Sequence, residues 1–109
     1  MTQELGKINS FELVKEDGRL GVKVELVTDG SGVIDSTLMA WSPSEIEVTE
    51  HTKWREIDRA EELSKIMYKI DELMHQAKVT NMKNMQNTPV EITLENNMLK
   101  SWRILKEVL

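Results

Sequence analysis

Residues 7–27, KINSFELVKEDGRLGVKVELV, decide the fold class of this chain, because they contain a turn whose register can be checked against the residues on either side of it. Asp17-Gly18 supplies the two positive φ angles of a type I′ turn. A two-residue loop there sets Leu13 opposite Val22 and Phe11 opposite Val24 on one face, and Glu12 opposite Lys23 on the other. Apolar residues meet apolar ones and a carboxylate meets an ammonium, so the stretch reads as an antiparallel hairpin.

Working outward, DGSG at residues 29–32 turns the chain back into VIDSTLMAW. A register that keeps Leu38 beside Val24 also lays Trp41 over Gly21, a ring covering a strand glycine. At the far end, PVEITLENNMLKSWRILKEVL forms a second hairpin around Asn96-Asn97, since asparagine tolerates left-handed geometry. Simple alternation then places Val90, Ile92 and Leu94 on one face with Leu99, Ser101 and Arg103. Trp102 falls on the opposite face, across from Glu91, where it is a candidate contact residue.

Between the hairpins the apolar period changes. Leu63, Ile66, Met67, Ile70, Leu73, Met74 and Ala77 recur at spacings of three and four, the mark of a helix laid on a sheet. The predicted helix runs from about Lys53 to Ala77 with Thr52 as its cap. Residues 78–89, KVTNMKNMQNTP, are a connector with room for one helical turn. The expected fold is α+β: about five antiparallel strands in the order β-β-β-α-β-β, packed on one long helix, an order also seen in OB-folds.

Composition bounds the rest. The 109 residues fit a single domain, 1–109, with 39% hydrophobic and 30% charged residues, an ordinary globular balance. No run approaches the roughly 20 apolar residues of a membrane span. The start, MTQELGK, lacks a signal-peptide pattern and there are no cysteines, so a cytoplasmic setting is expected. A net charge of −5 works against a broad surface for duplex nucleic acid, though not against a small anion site.

The helix start, HTKWREIDRAEEL at residues 51–63, holds the strongest candidate site. Projected backwards at about 100° per residue, the apolar stripe passes through Arg59, Glu56, Arg55 and Thr52. Two arginines one turn apart need something negative between them. One source is internal: Glu56, or the upstream Glu45, Glu47 and Glu50. The other is a ligand phosphate or a partner's carboxylate, held by the guanidinium forks, Thr52 and the helix N-terminus. Trp54, Ile57 and Tyr68 point away from the stripe and form an apolar flank, the expected interface of a homo-oligomer. His51 and His75 stand far apart with no HExxH or cysteine partner, no strained serine turn is visible, and DGSG lacks the GK[ST] of a phosphate loop. No metal, cofactor or catalytic constellation is therefore expected, and the chain does not read as an enzyme.

Three pieces together carry a resemblance: the opening GKI strand, HTKWREIDR, and the ending PVEITLENNMLKSWRILKEVL. They resemble a group of small, mostly uncharacterised bacteriophage proteins with a tryptophan at the helix start and an ending of the form PVE-T-E-N-LKSWRIL-EVL. The resemblance covers about the last two-thirds of the chain, and the N-terminal third departs most. It implies a phage-type binding protein acting in the host cytoplasm, such as a counter-defence or anti-CRISPR inhibitor. The expected action is stoichiometric capture of a host immune protein, or sequestration of its small nucleotide signal, with Thr52, Arg55, Arg59, Trp102 and Arg103 as the binding residues. The rival expectation is an OB-like accessory of phage DNA metabolism that binds single strands, with Trp41 and Trp102 stacking bases and Lys15, Lys23 and Lys100 along the backbone path.

Overall fold

Asp17 and Gly18 take φ of 51° and 76°, as a type I′ turn requires, in a computed structural model that describes all residues 1–109. The turn joins β1 (Thr2–Glu16) to β2 (Arg19–Thr28), with Leu13 against Val22, Glu12 against Lys23 and Phe11 against Val24, the register expected. A bulge between Ile8 and Ser10 then brings both Ile8 and Phe11 onto the core face, although they are three residues apart.

The next register differs from expectation by two residues. β3 (Gly32–Trp41) pairs Leu38 with Val22 and Trp41 with Arg19, so Trp41 does not cover Gly21, which faces Met39 instead. The cause is a tight three-residue loop. Gly32 takes φ 72°, and Thr28 Oγ1 accepts the Ser31 N–H at 2.8 Å, closing the pair Thr28–Gly32.

The C-terminal hairpin turns where expected, with Asn96 and Asn97 at φ 55° and 64° between β4 (Pro89–Glu95) and β5 (Met98–Ile104). A bulge opposite Thr93 and Leu94 leaves Lys100 unpaired and inverts the alternation beyond Leu99. Trp102 therefore pairs with Ile92 on the core face, and Ser101 and Arg103 turn outward. This reverses the sides expected for all three.

The five strands form an open antiparallel sheet in the order β3-β2-β1-β4-β5. β1 is its spine: Gly6–Glu16 pairs with β2, and Thr2–Lys7 with β4. The overlap is Gly6 and Lys7. At Gly6 there is no room for a side chain, because a Cβ would run into the Val27 carbonyl oxygen unless the backbone shifted. One face of the sheet is buried, by Ile8, Val22, Val24, Leu26, Val90, Ile92 and Ile104. Against it lie Leu73 and Ala77 of the helix α1 (Glu56–Ala77) and Met85 of a 3-10 turn, Met82–Met85, inside the connector. The two edge strands meet across this core: Trp102 Nε1 of β5 donates to Ser36 Oγ of β3 at 3.1 Å.

α1 begins three residues later than expected. Arg55, not Thr52, is the residue before the first turn, with extended backbone (φ −92°, ψ 166°). The Asp58 carboxylate accepts its N–H at 2.8 Å, and Glu56 and Asp58 complement the positive helix end. At the other end Lys78 turns left-handed (φ 60°), and the Val79 N–H reaches back to the Met74 carbonyl at 3.0 Å. Leu73 and Ala77 of the expected stripe are buried, and Ile70 and Met74 pack beside them. Met67 is 64% exposed and belongs to the other side of the helix. No helix is long and apolar enough to cross a membrane.

Candidate functional site

Between β3 and α1 the chain makes a series of tight turns. The Ser42 N–H donates to the Gly18 carbonyl at 2.9 Å, tying this segment to the first hairpin. Thr52, expected to cap the helix, instead closes a local turn, its N–H on the Thr49 carbonyl (3.0 Å) and its Oγ1 accepting the Thr49 N–H (3.1 Å). Because the helix starts late, Trp54 lies outside it and folds back over Arg59, with the guanidinium 5.2 Å from the ring centre.

The two arginines are separated. Arg59 is buried; Nη1 pairs with Glu56 at 3.3 Å and Nη2 donates to the Ile46 carbonyl, while Nε has no partner. The Arg55 side chain is 74% exposed and pairs with Asp58 at 3.3 Å. The Arg55 N–H, followed by its guanidinium, holds the Asp58 carboxyl below its ordinary pKa. The negative partners are thus internal, and each arginine has its own. Beside Arg59 runs a groove of about 390 Å³ whose walls include Glu45, Glu47 and Glu56. An anion entering it would meet three carboxylates and one guanidinium already engaged.

The other candidates lie elsewhere. Trp102 is half-buried on the core face. Arg103, on the outer face, bridges Glu91 (3.2 Å) and Glu107 (3.0 Å), and these carboxylates, Glu107 first, raise its pKa. The Glu107 carboxyl is lowered, chiefly by its own backbone N–H and then by Arg103. Thr52, Arg55, Arg59, Trp102 and Arg103 therefore do not converge on one ligand.

A single-strand path fares no better. Trp41 stands on the outer face, stacked 5.0 Å from Arg19, whereas Trp102 faces the core. Lys15, Lys23 and Lys100 are each paired, with Glu45, Glu16 and Glu95 at 3.5, 3.7 and 3.7 Å. Around Trp41, the outward positions of Glu12–Glu16, Arg19–Glu25 and Asp35–Trp41 carry two cations, Arg19 and Lys23, against Glu12, Glu16, Glu25 and Asp35. Two minus four leaves this face at −2, the wrong sign for a phosphate backbone.

The surface that stands out is the outer side of α1. Ile57, Met67 and Tyr68 are 56%, 64% and 75% exposed on a side where Ala60 and Ser64 supply only small side chains. Ile57, Ala60, Ser64 and Tyr68 line a shallow groove of about 340 Å³ rimmed by Glu61 and Lys65. Two of the three expected flank residues are here, and Trp54 is not. Met67 was the missed member. Its place at the border of two apolar stripes was the available signal. No group of three His, Cys, Asp or Glu side chains is arranged to hold a metal ion. Comparison with protein families, with curated proteins and with solved structures returns no match.

Proposed function

We propose that this chain is a non-enzymatic, phage-type binding protein that acts against a host defence by stoichiometric capture of an immune effector protein, through the outer face of α1. The observation that carries this reading is the row Ile57, Met67 and Tyr68, large apolar side chains held out to solvent on a rigid helix with small residues between them. Exposed apolar surface with a charged rim is the usual composition of a protein-binding patch. A protein target is favoured over a nucleotide signal, because the arginines are engaged internally and the groove beside Arg59 is lined with glutamates.

The test is phage plating on bacteria that each carry one defence system, with and without the protein. Wild type should restore plating on at least one host, and the Ile57→Glu/Tyr68→Glu double variant, melting as wild type does, should not. Failure on every defended host, or full activity of the double variant, overturns the reading. Calorimetry with candidate nucleotide signals should give no binding heat; saturable binding would move the target from effector to signal.

A further inference from the structure

β1 is covered along one side by β2 throughout Gly6–Glu16, but along the other side β4 accompanies it only through Lys7. One last exchange follows, Ile8 N–H to the Thr88 carbonyl (2.9 Å) and Asn87 N–H to the Ile8 carbonyl (2.7 Å), and then β4 is gone. No backbone bond outside the β1–β2 ladder reaches Asn9–Glu16. The two-residue turn makes Glu16 and Arg19 a hydrogen-bonded pair, so the alternation leaves the N–H and C=O of Phe11, Leu13 and Lys15 pointing to the open side. Beside this edge lies a groove of about 630 Å³, walled on its far side by Met82, Lys83 and Gln86. Leu13 stands at it 60% exposed.

We propose that two copies of this chain join along this edge, β1 pairing antiparallel with the mate's β1 about a two-fold axis at Leu13, to make one continuous ten-stranded sheet, five strands from each. The sequence of the edge selects both the occupant and the register. With Leu13 against the mate's Leu13, Phe11 meets Lys15, Glu12 meets Val14 and Ser10 meets Glu16, so no like charges are opposed. Sliding the mate one pair in either direction sets Glu12 against Glu12 or Glu12 against Glu16. The central register also brings the mate's Glu16 and Asp17 alongside Ser10 and Asn9, where the groove is walled by Lys83. An unguarded strand edge is a template for pairing, and here the self-match is the favourable one. The contact is short, so a weak dimer is expected. In it the outer faces of both α1 helices remain free, and the proposal stands or falls apart from the function assigned to them.

Sedimentation across about 1 to 200 micromolar is the measurement, a range suited to a small interface. Wild type should pass from monomer to dimer. Leu13→Pro removes only an N–H that faces the open edge, and Leu13→Lys places ammonium against ammonium across the axis; each should weaken association at least tenfold. If Leu13→Pro fails to fold, Leu13→Lys decides alone. Hydrogen exchange supplies an independent readout: the amides of Phe11, Leu13 and Lys15 should gain protection at high concentration, while those of Glu12 and Val14 are protected throughout. A wild type monomeric at the top concentration, a Leu13→Lys variant that dimerises as well as wild type, or dissociation by Ile57→Glu in place of Leu13→Lys overturns the proposal.

Discussion

Arg59 shows how a charged side chain can sit among apolar neighbours on a helix. Its stem continues the buried stripe while its head reaches the Ile46 carbonyl, the Glu56 carboxylate and the Trp54 ring. Glu56 is 71% exposed and regains water when its partner is removed, so the pair does not behave as a fully buried one. Arg59→Met keeps the stem and removes a charged hydrogen bond, and should lower stability by about 1–3 kcal/mol in urea melts, below the 3–5 typical of a buried pair. The loss should be concentrated at residues 42–59 when followed by hydrogen exchange. Asp58 gives the pH dependence. Its folded pKa is below the ordinary value, so its contribution is complete above about pH 4 and disappears as pH falls through the folded pKa. The stability difference between wild type and Asp58→Ala should be constant near neutrality and shrink in acid. That Arg59 turns inward was legible in the helical period. Its separation from Arg55 was not, because helix-starting signals near Thr52 extended the helix three residues too far.

At the scale of elements, turns carried by special backbone angles were readable and bulges were not. Asp17-Gly18 and Asn96-Asn97 declare themselves by residue type, since few side chains tolerate positive φ. An extra residue in a strand has no compositional mark, and the bulge at Lys100 reversed the faces of Ser101, Trp102 and Arg103 without any change in the sequence pattern. The β2–β3 register failed for a related reason: DGSG offers two glycines, and only Gly32 adopts the positive angle that closes the loop. Asn97→Val should therefore destabilise by about 1–2 kcal/mol, because a β-branched residue resists left-handed backbone. The same substitution at Asn84, in the 3-10 turn with ordinary φ, should cost clearly less in the same thermal melts.

Across the whole molecule, the β3 and β5 edges are far apart in the sheet order yet joined through Trp102 and Ser36. The sheet is thus curled over its core, with a single indole spanning the mouth. Trp102→Phe retains most of the ring and loses the N–H bond, so a fall of about 0.5–1.5 kcal/mol is expected by denaturant titration. Ser36→Ala should cost a similar amount alone and little in addition to Trp102→Phe, the non-additivity of partners in one bond. The order of elements was legible from pattern. The curl was not, because it depends on the Trp102 side chain pointing inward.

The division of β1 between two partners has a consequence for synthesis on the ribosome. Gly6–Glu16 finds β2, and β2 finds β3, within the next few dozen residues, and this meander can assemble as soon as it leaves the exit tunnel. Thr2–Lys7 must wait for Pro89–Leu94, more than eighty residues downstream. Throughout that interval the nascent chain carries an unpaired strand beside a finished hairpin, and only emergence of the last hairpin occupies it. Translation speed through the helix and connector thereby sets how long the growing chain is open to pairing with the wrong neighbour.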